Sequence, residues 1–222
     1  MRWIVTLLVA FSLSLAALAQ QRFDFKVRED MFAGMDGDQV SFDRALKLIA
    51  DTLAVDPDHA EALVWRGDAR LFQSGQAFQR RAFAEGQALA AQGIADMERA
   101  VSLAPTSIAV RIPRATGLMP FARGMRAHNR AEADRLTKVA IDDFEFVITA
   151  VAPQWSAMKE HGRGELLGAL ADGWLQLGEV AKANVYLDRM TAELPGTPYA
   201  RNAAQRRADP AAKAALTCLG CH

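Results

Sequence analysis

From about Ser41 to Ala208 apolar residues recur every third or fourth position among Ala, Leu and charged residues, and no run of alternating β-branched residues interrupts them. That spacing places the apolar side chains on one face of an α-helix, so an all-α chain is predicted. Four helix-like segments each end at a proline: ALKLIADTLAVDP at Pro57, GIADMERAVSLAP at Pro105, IDDFEFVITAVAP at Pro153 and AKANVYLDRMTAELP at Pro195. The first three prolines are spaced by 48 residues and the last by 42. Twelve positions before each proline stand Ala45, Gly93, Ile141 and Ala183, and eight before stand Ile49, Met97, Glu145 and Leu187. In the third unit Phe144 and Ile148 take the core-facing role that Glu145 cannot fill. Residues 20–40, with DMFAGMDGDQ, read as an N-terminal polar segment outside this array.

The register resembles the tetratricopeptide repeat, a helix pair of about 34 residues. The fourth unit carries the resemblance best: Leu170, Ala171, Trp174, Gly178, Ala183, Leu187, Met190 and Pro195 fall at the family's offsets. After Pro57, Ala60, Glu61 and Ala62 are followed by Gly67 and Ala69, small residues where a first helix meets its second. The resemblance implies an irregular array of helix pairs, an α-solenoid over residues 41–195, whose concave groove takes a protein partner. Both 48-residue units are longer than the standard by about 14 residues, around QAFQRRAFAEGQALAAQ and ARGMRAHNRAEADRLTK, which should lengthen the helices or their turns. Pro113 and Pro120 are expected to kink or interrupt the third unit's first helix. Residues 196–222 form a C-terminal arm, in which Thr197-Pro198 and Asp209-Pro210 each read as a helix start.

The first residues, MRWIVTLLVAFSLSLAALAQ, have the secretory pattern: Arg2, an apolar run to about Ala16, then Ala17-Leu18-Ala19. Residues 1–19 are therefore expected to be a signal peptide cleaved after Ala19, delivering the chain to the periplasm or another exported compartment. The competing reading, an uncleaved anchor, has rather few apolar residues for a span. No other stretch is long and apolar enough, so no integral span is expected after cleavage. Lys plus Arg and Asp plus Glu each number 26, so no net field draws the chain to nucleic acid.

The helical body shows no Gly-rich phosphate loop, HExxH or nucleophile elbow, and no enzyme is predicted. His59, His128 and His161 lack a metal-binding spacing and read as surface residues. Asp142, Asp143 and Glu145 read as the wet face of one helix, and Trp65, Trp155 and Trp174 as packing residues. Arg111, Arg114, Arg123, Arg126, Arg130 and Arg135 form a basic run that could meet haem propionates or an acidic partner, although a solvated face is the simpler account.

The sequence closes on TCLGCH, Thr217 to His222, which holds the chain's two cysteines. Two thiols at Cys-x-x-Cys spacing can add to the two vinyl groups of haem while the following imidazole reaches the iron. Cys218 and Cys221 are thus candidate thioether residues and His222 the candidate axial ligand of one haem c. Export favours this reading, because an exported chain with a single cysteine pair has no distant loop to staple. Two alternatives remain: a thiol–disulfide redox centre, which normally opens a helix, and a zinc site, which needs further ligands. The resemblance is to the attachment motif and not to the cytochrome c fold, so a sixth ligand, if present, comes from His59, His128, His161, a methionine or another protein, and otherwise the iron is five-coordinate or water-ligated. Two functions follow as expectations. One is an exported scaffold carrying haem for electron transfer or redox-partner docking; the other is a haem-free binding module, for example one assisting cytochrome c maturation.

Overall fold

The structure is a computed structural model that describes residues 22–217. The signal-peptide reading of residues 1–19 and the candidate ligands Cys218, Cys221 and His222 lie outside the described residues. Among the described residues there are nine α-helices, no strands and one 3₁₀ turn, Ala152–Ala157. The helices are α1 (Phe23–Met35), α2 (Gln39–Val55), α3 (Ala60–Gln79), α4 (Phe83–Leu103), α5 (Ile108–Met125), α6 (Arg130–Val151), α7 (Glu160–Gln176), α8 (Val180–Glu193) and α9 (Pro198–Ala208). They pack as consecutive pairs, α1 on α2, α3 on α4, α5 on α6 and α7 on α8, with α3 also against α5 and α9 closing the array on α8. The fold is an all-α, solenoid-like array, and none of these helices is long and apolar enough to cross a membrane.

Local chemistry explains where the helices start. Asp38 accepts hydrogen bonds from the Val40 and Ser41 N–H groups ahead of α2 (3.1 and 3.2 Å), and Asn129 accepts one from Glu132 N–H ahead of α6 (3.1 Å). Thr197 accepts one from Ala200 N–H, with Pro198 at the first helical position of α9 as the sequence predicts. Such caps satisfy N–H groups that have no partner within the helix. Between α7 and α8 the chain turns at Gly178, whose φ of 79° suits a residue without Cβ.

The proline-anchored register is the packing register. Ala45, Gly93, Ile141 and Ala183 are all buried, as are Ile49, Met97, Phe144 and Leu187. Small residues set the closest approach. A Cβ on Gly67 would stand 2.7 Å from the Gly93 carbonyl oxygen, and one on Gly93 would stand 2.8 Å from that of Gly67. Backbone therefore meets backbone where α3 crosses α4. The extra length of the 48-residue units lies in the helices, since α3 and α4 have 20 and 21 residues and α6 has 22.

Four expectations need correction. Residues 20–40 are not simply a polar segment: α1 buries Phe23, Val27 and Met31, spaced by four, against the array. Pro113 and Pro120 do not interrupt α5. Each removes one backbone hydrogen bond at about 3 kcal/mol. Burial of Val110, Leu118 and Met119, worth about 1.5–3 kcal/mol apiece, offsets that cost. Asp209-Pro210 starts no helix; the Asp209 carboxylate accepts from Ala211 N–H (2.9 Å) in a turn, and residues 213–215 run on without helix. Asp143 is not on a wet face but is fully buried, whereas Asp142 is exposed and paired with Lys138.

Candidate functional site

The two long units enclose a cleft of about 1730 Å³ on the array. Small-molecule sites are usually smaller, roughly 300–1,000 Å³. Part of its wall comes from the two insertions: Phe78 and Phe83 around the α3–α4 turn, and Met125, His128 and Arg135 around the α5–α6 turn. Phe72, Ile94 and Phe121 extend the apolar lining, and Phe83 is 60% exposed.

Three carboxyl groups line the cleft; Glu132 and Asp172 are paired with arginines, and Asp68 is not. Asp68 of α3 lines the cleft at 6% exposure, with its oxygen packed against the bare Cα of Gly117 on α5. No hydrogen bond or ion pair to another described residue compensates its burial. Desolvation alone pushes its pKa up from 3.8 to about 7, which keeps a large share of it neutral at physiological pH. Asp68 was not singled out from the sequence. A signal was there, since it lies three positions from both Trp65 and Leu71 and so on the buried face of its helix.

The basic run has a different role from recognition of free anions. Arg111 and Arg114 both hold the buried Asp143, at 2.6 Å and at 2.5 and 2.7 Å. Arg126 and Arg130 meet Asp134, Arg135 meets Glu132, and Arg123 meets Asp172. The preceding helix pair repeats the device: Arg66 and Arg70 of α3 hold Asp96 of α4. The pairs at Asp143, Asp96 and Asp172 tie one helix to another, whereas Arg130–Asp134 and Arg135–Glu132 lie within α6.

The segment after α9 folds back onto the cleft. Leu216 is 4% exposed and packs with Leu167, Ala171 and Leu187. Asn202 donates to the Ala215 carbonyl (2.7 Å), and Arg206 donates to the Ala212 carbonyl. Lys213 to Thr217 all line the cleft. Thr217, the residue before Cys218, is thus already in the cleft wall. Within the C-terminal arm, residues 213–217 therefore lie along the cleft.

A scan against protein-family models and searches of curated proteins and of solved structures return no match. Function therefore rests on the site's own chemistry. Among the described residues no three His, Cys, Asp or Glu side chains converge as a metal-binding group. The histidines lie apart: His59 caps α3 by accepting from Ala62 N–H (3.2 Å), His161 hydrogen-bonds Tyr199 Oη (2.8 Å), and His128 lines the cleft. Trp65 and Trp174 are buried, as packing residues should be, while Trp155 is half-buried and donates to Glu193 (2.7 Å).

Proposed function

We propose that the protein is an exported, tetratricopeptide-like scaffold that carries one covalent haem c and serves electron transfer or redox-partner docking. Cys218 and Cys221 would hold the haem through thioethers, and His222 would supply an imidazole to its iron. The observation that carries this reading is the docked segment ending at Thr217, which brings the chain to the cleft wall one residue before Cys218. Export of residues 20–222 after cleavage at Ala19 places the thiols where haem attachment takes place.

The cleft suits the group. Phe72, Phe78, Phe83 and Phe121 supply wall for a flat, mostly apolar ring, and Lys213 lines the same cleft with no carboxylate partner among the described residues, ready for a propionate. Bound haem supplies a one-electron iron couple. The chain's part is to fix the attachment segment through Leu216, exclude water along the apolar wall, and present the partner-facing rim.

The size of the cleft favours a second reading, a haem-free module that binds a partner's peptide segment there, such as an apocytochrome. Mass spectrometry and a pyridine haemochrome spectrum of protein produced with haem-attachment machinery separate the two. One haem per chain, lost in the Cys218→Ala/Cys221→Ala variant, is expected. Two free thiols and no Soret band would end the haem reading, and retained partner binding after removal of residues 218–222 would favour the module.

A further inference from the structure

We propose that the cleft binds a small organic amine, whose protonated head pairs with Asp68 and whose apolar body lies between α3 and α5. The inference concerns the end of the cleft at Asp68 and requires neither haem nor a partner protein.

Asp68 is a carboxyl group without a counterpart. The other carboxylates that line the cleft are paired, Glu132 with Arg135 and Asp172 with Arg123. Asp68 is 6% exposed and borders the cavity, yet it has no hydrogen bond or ion pair to another described residue. The hydroxyl of Thr116, next to Gly117 in the chain, donates instead to the Ile112 and Pro113 carbonyls of its own helix (3.0 and 3.1 Å). Burial alone raises the Asp68 pKa, and no neighbouring cation pulls it back. Folded chains give nearly every buried polar group a partner, so an unpaired carboxyl at a cavity wall calls for a donor from outside the chain. A protonated amine supplies both the donor and the charge, and charge-assisted hydrogen bonds are the strong ones.

The walls select an apolar body. Helices α3 and α5 touch where Asp68 packs against Gly117. Phe72 and Phe121 stand four positions further along the two helices, and both line the cleft. Phe72 is braced edge-on by Phe42, at 5.5 Å between ring centroids. Aromatic faces attract a cation as well as an apolar ring. Lys213, the cleft cation with no carboxylate partner among the described residues, belongs to the segment seated on α7 at Gly168 and not to these two walls.

Two glycines keep the space open. Gly75 and Gly124 stand seven positions after Asp68 and Gly117, about 10 Å along each helix, and both line the cleft. A Cβ on either would meet nothing within 4 Å, whereas one on Gly67, Gly93 or Gly117 would strike a neighbour. Packing therefore does not require these two glycines, and glycine inside a helix weakens it relative to alanine. Their use is the room they leave. A wall of about 10 Å with a carboxyl at one end suits an arylalkylamine with a single ring.

The probe is 2-phenylethylamine, titrated into the full chain at pH 8 and followed by calorimetry and protein NMR. At that pH Asp68 is largely ionised and a primary amine is still protonated. Binding is expected to shift the signals of Asp68, Phe72 and Phe121. It should be about tenfold tighter than that of 2-phenylethanol, which has the same body without the charge. Asp68→Asn should bring the two ligands to the same affinity. Gly75→Leu and Gly124→Leu should each block both ligands while keeping the helical circular dichroism, and Asp142→Asn should match wild type. No binding of the amine, equal affinity for amine and alcohol, or amine binding that survives Asp68→Asn, including binding through a haem iron, would overturn the proposal. So would a phenylalanyl-lysine amide that binds where 2-phenylethylamine does not, since the occupant would then be a peptide.

Discussion

The carbonyl oxygen of Leu216 lies against the bare Cα of Gly168, so that a Cβ on Gly168 would collide with it. The neighbouring atom is backbone and cannot rotate away. A glycine in mid-helix ordinarily weakens the helix by roughly 0.5–1 kcal/mol relative to alanine. Here it admits the chain that leads to the cysteines.

Gly168→Ala should therefore separate two effects. Helix α7 gains propensity, so the global unfolding midpoint should hold or rise slightly. Residues 212–217 lose their seat, so their amides should exchange faster and trypsin should cut sooner after Lys213. Unchanged exchange in that segment, with a simple gain in stability, would show that the contact does not hold the tail.

Much of the array could be read from residue types, because its packing depends on period. Ala45, Gly93 and Ala183 are small where helices approach, and the prolines after them stop each helix. The cleft could not be read, because part of its wall comes from residues 76–92 and 122–138, which break the repeat and have no register to follow, and the rest is gathered from α1, α3, α5, α7 and the segment after α9. Nor could the seat at Gly168, which depends on a segment nearly 50 positions away. Helix α1 escaped for a simpler reason. Arg22 provides no side-chain cap, the C-terminal Asp36 is not followed by proline, and only the spacing of Phe23, Val27 and Met31 marks it.

That helix makes its own prediction. Met31 is fully buried in the main core, so Met31→Ala should cost about 2–5 kcal/mol in urea unfolding. A loss under about 0.5 kcal/mol, the range of ordinary surface changes, would mean that α1 is not part of the folded unit.

Asp142 and Asp143 are adjacent and have opposite expected effects. Asp142 is exposed, with a single lysine partner one turn away, a pair worth little in water. Asp143 is fully buried between two arginines. Asp143→Ala leaves Arg111 and Arg114 without their counter-charge and should cost about 3–5 kcal/mol, whereas Asp142→Ala should stay within about 0.5 kcal/mol. Comparable losses in chemical denaturation of the two variants would contradict the buried tie between α5 and α6.

Asp68 gives the array a pH dependence of unusual sign for a carboxylate. Burial raises its pKa from 3.8 in an unfolded chain to about 7 in the folded one, so the folded state binds more protons between those values. The stability it confers is fully present below pH 4, falls as pH rises toward 7, and is flat above. At about 1.4 kcal/mol per tenfold change, the loss has an upper bound of about 4 kcal/mol. Asp68→Asn cannot ionise, so the difference between variant and wild type isolates this group from every other that titrates. The variant should match wild type near pH 4 and exceed it by up to that amount at pH 8, measured by urea unfolding at both pH values. If Asp68→Asn is no more stable than wild type at pH 8, the carboxylate finds compensation that its contact with Gly117 does not supply.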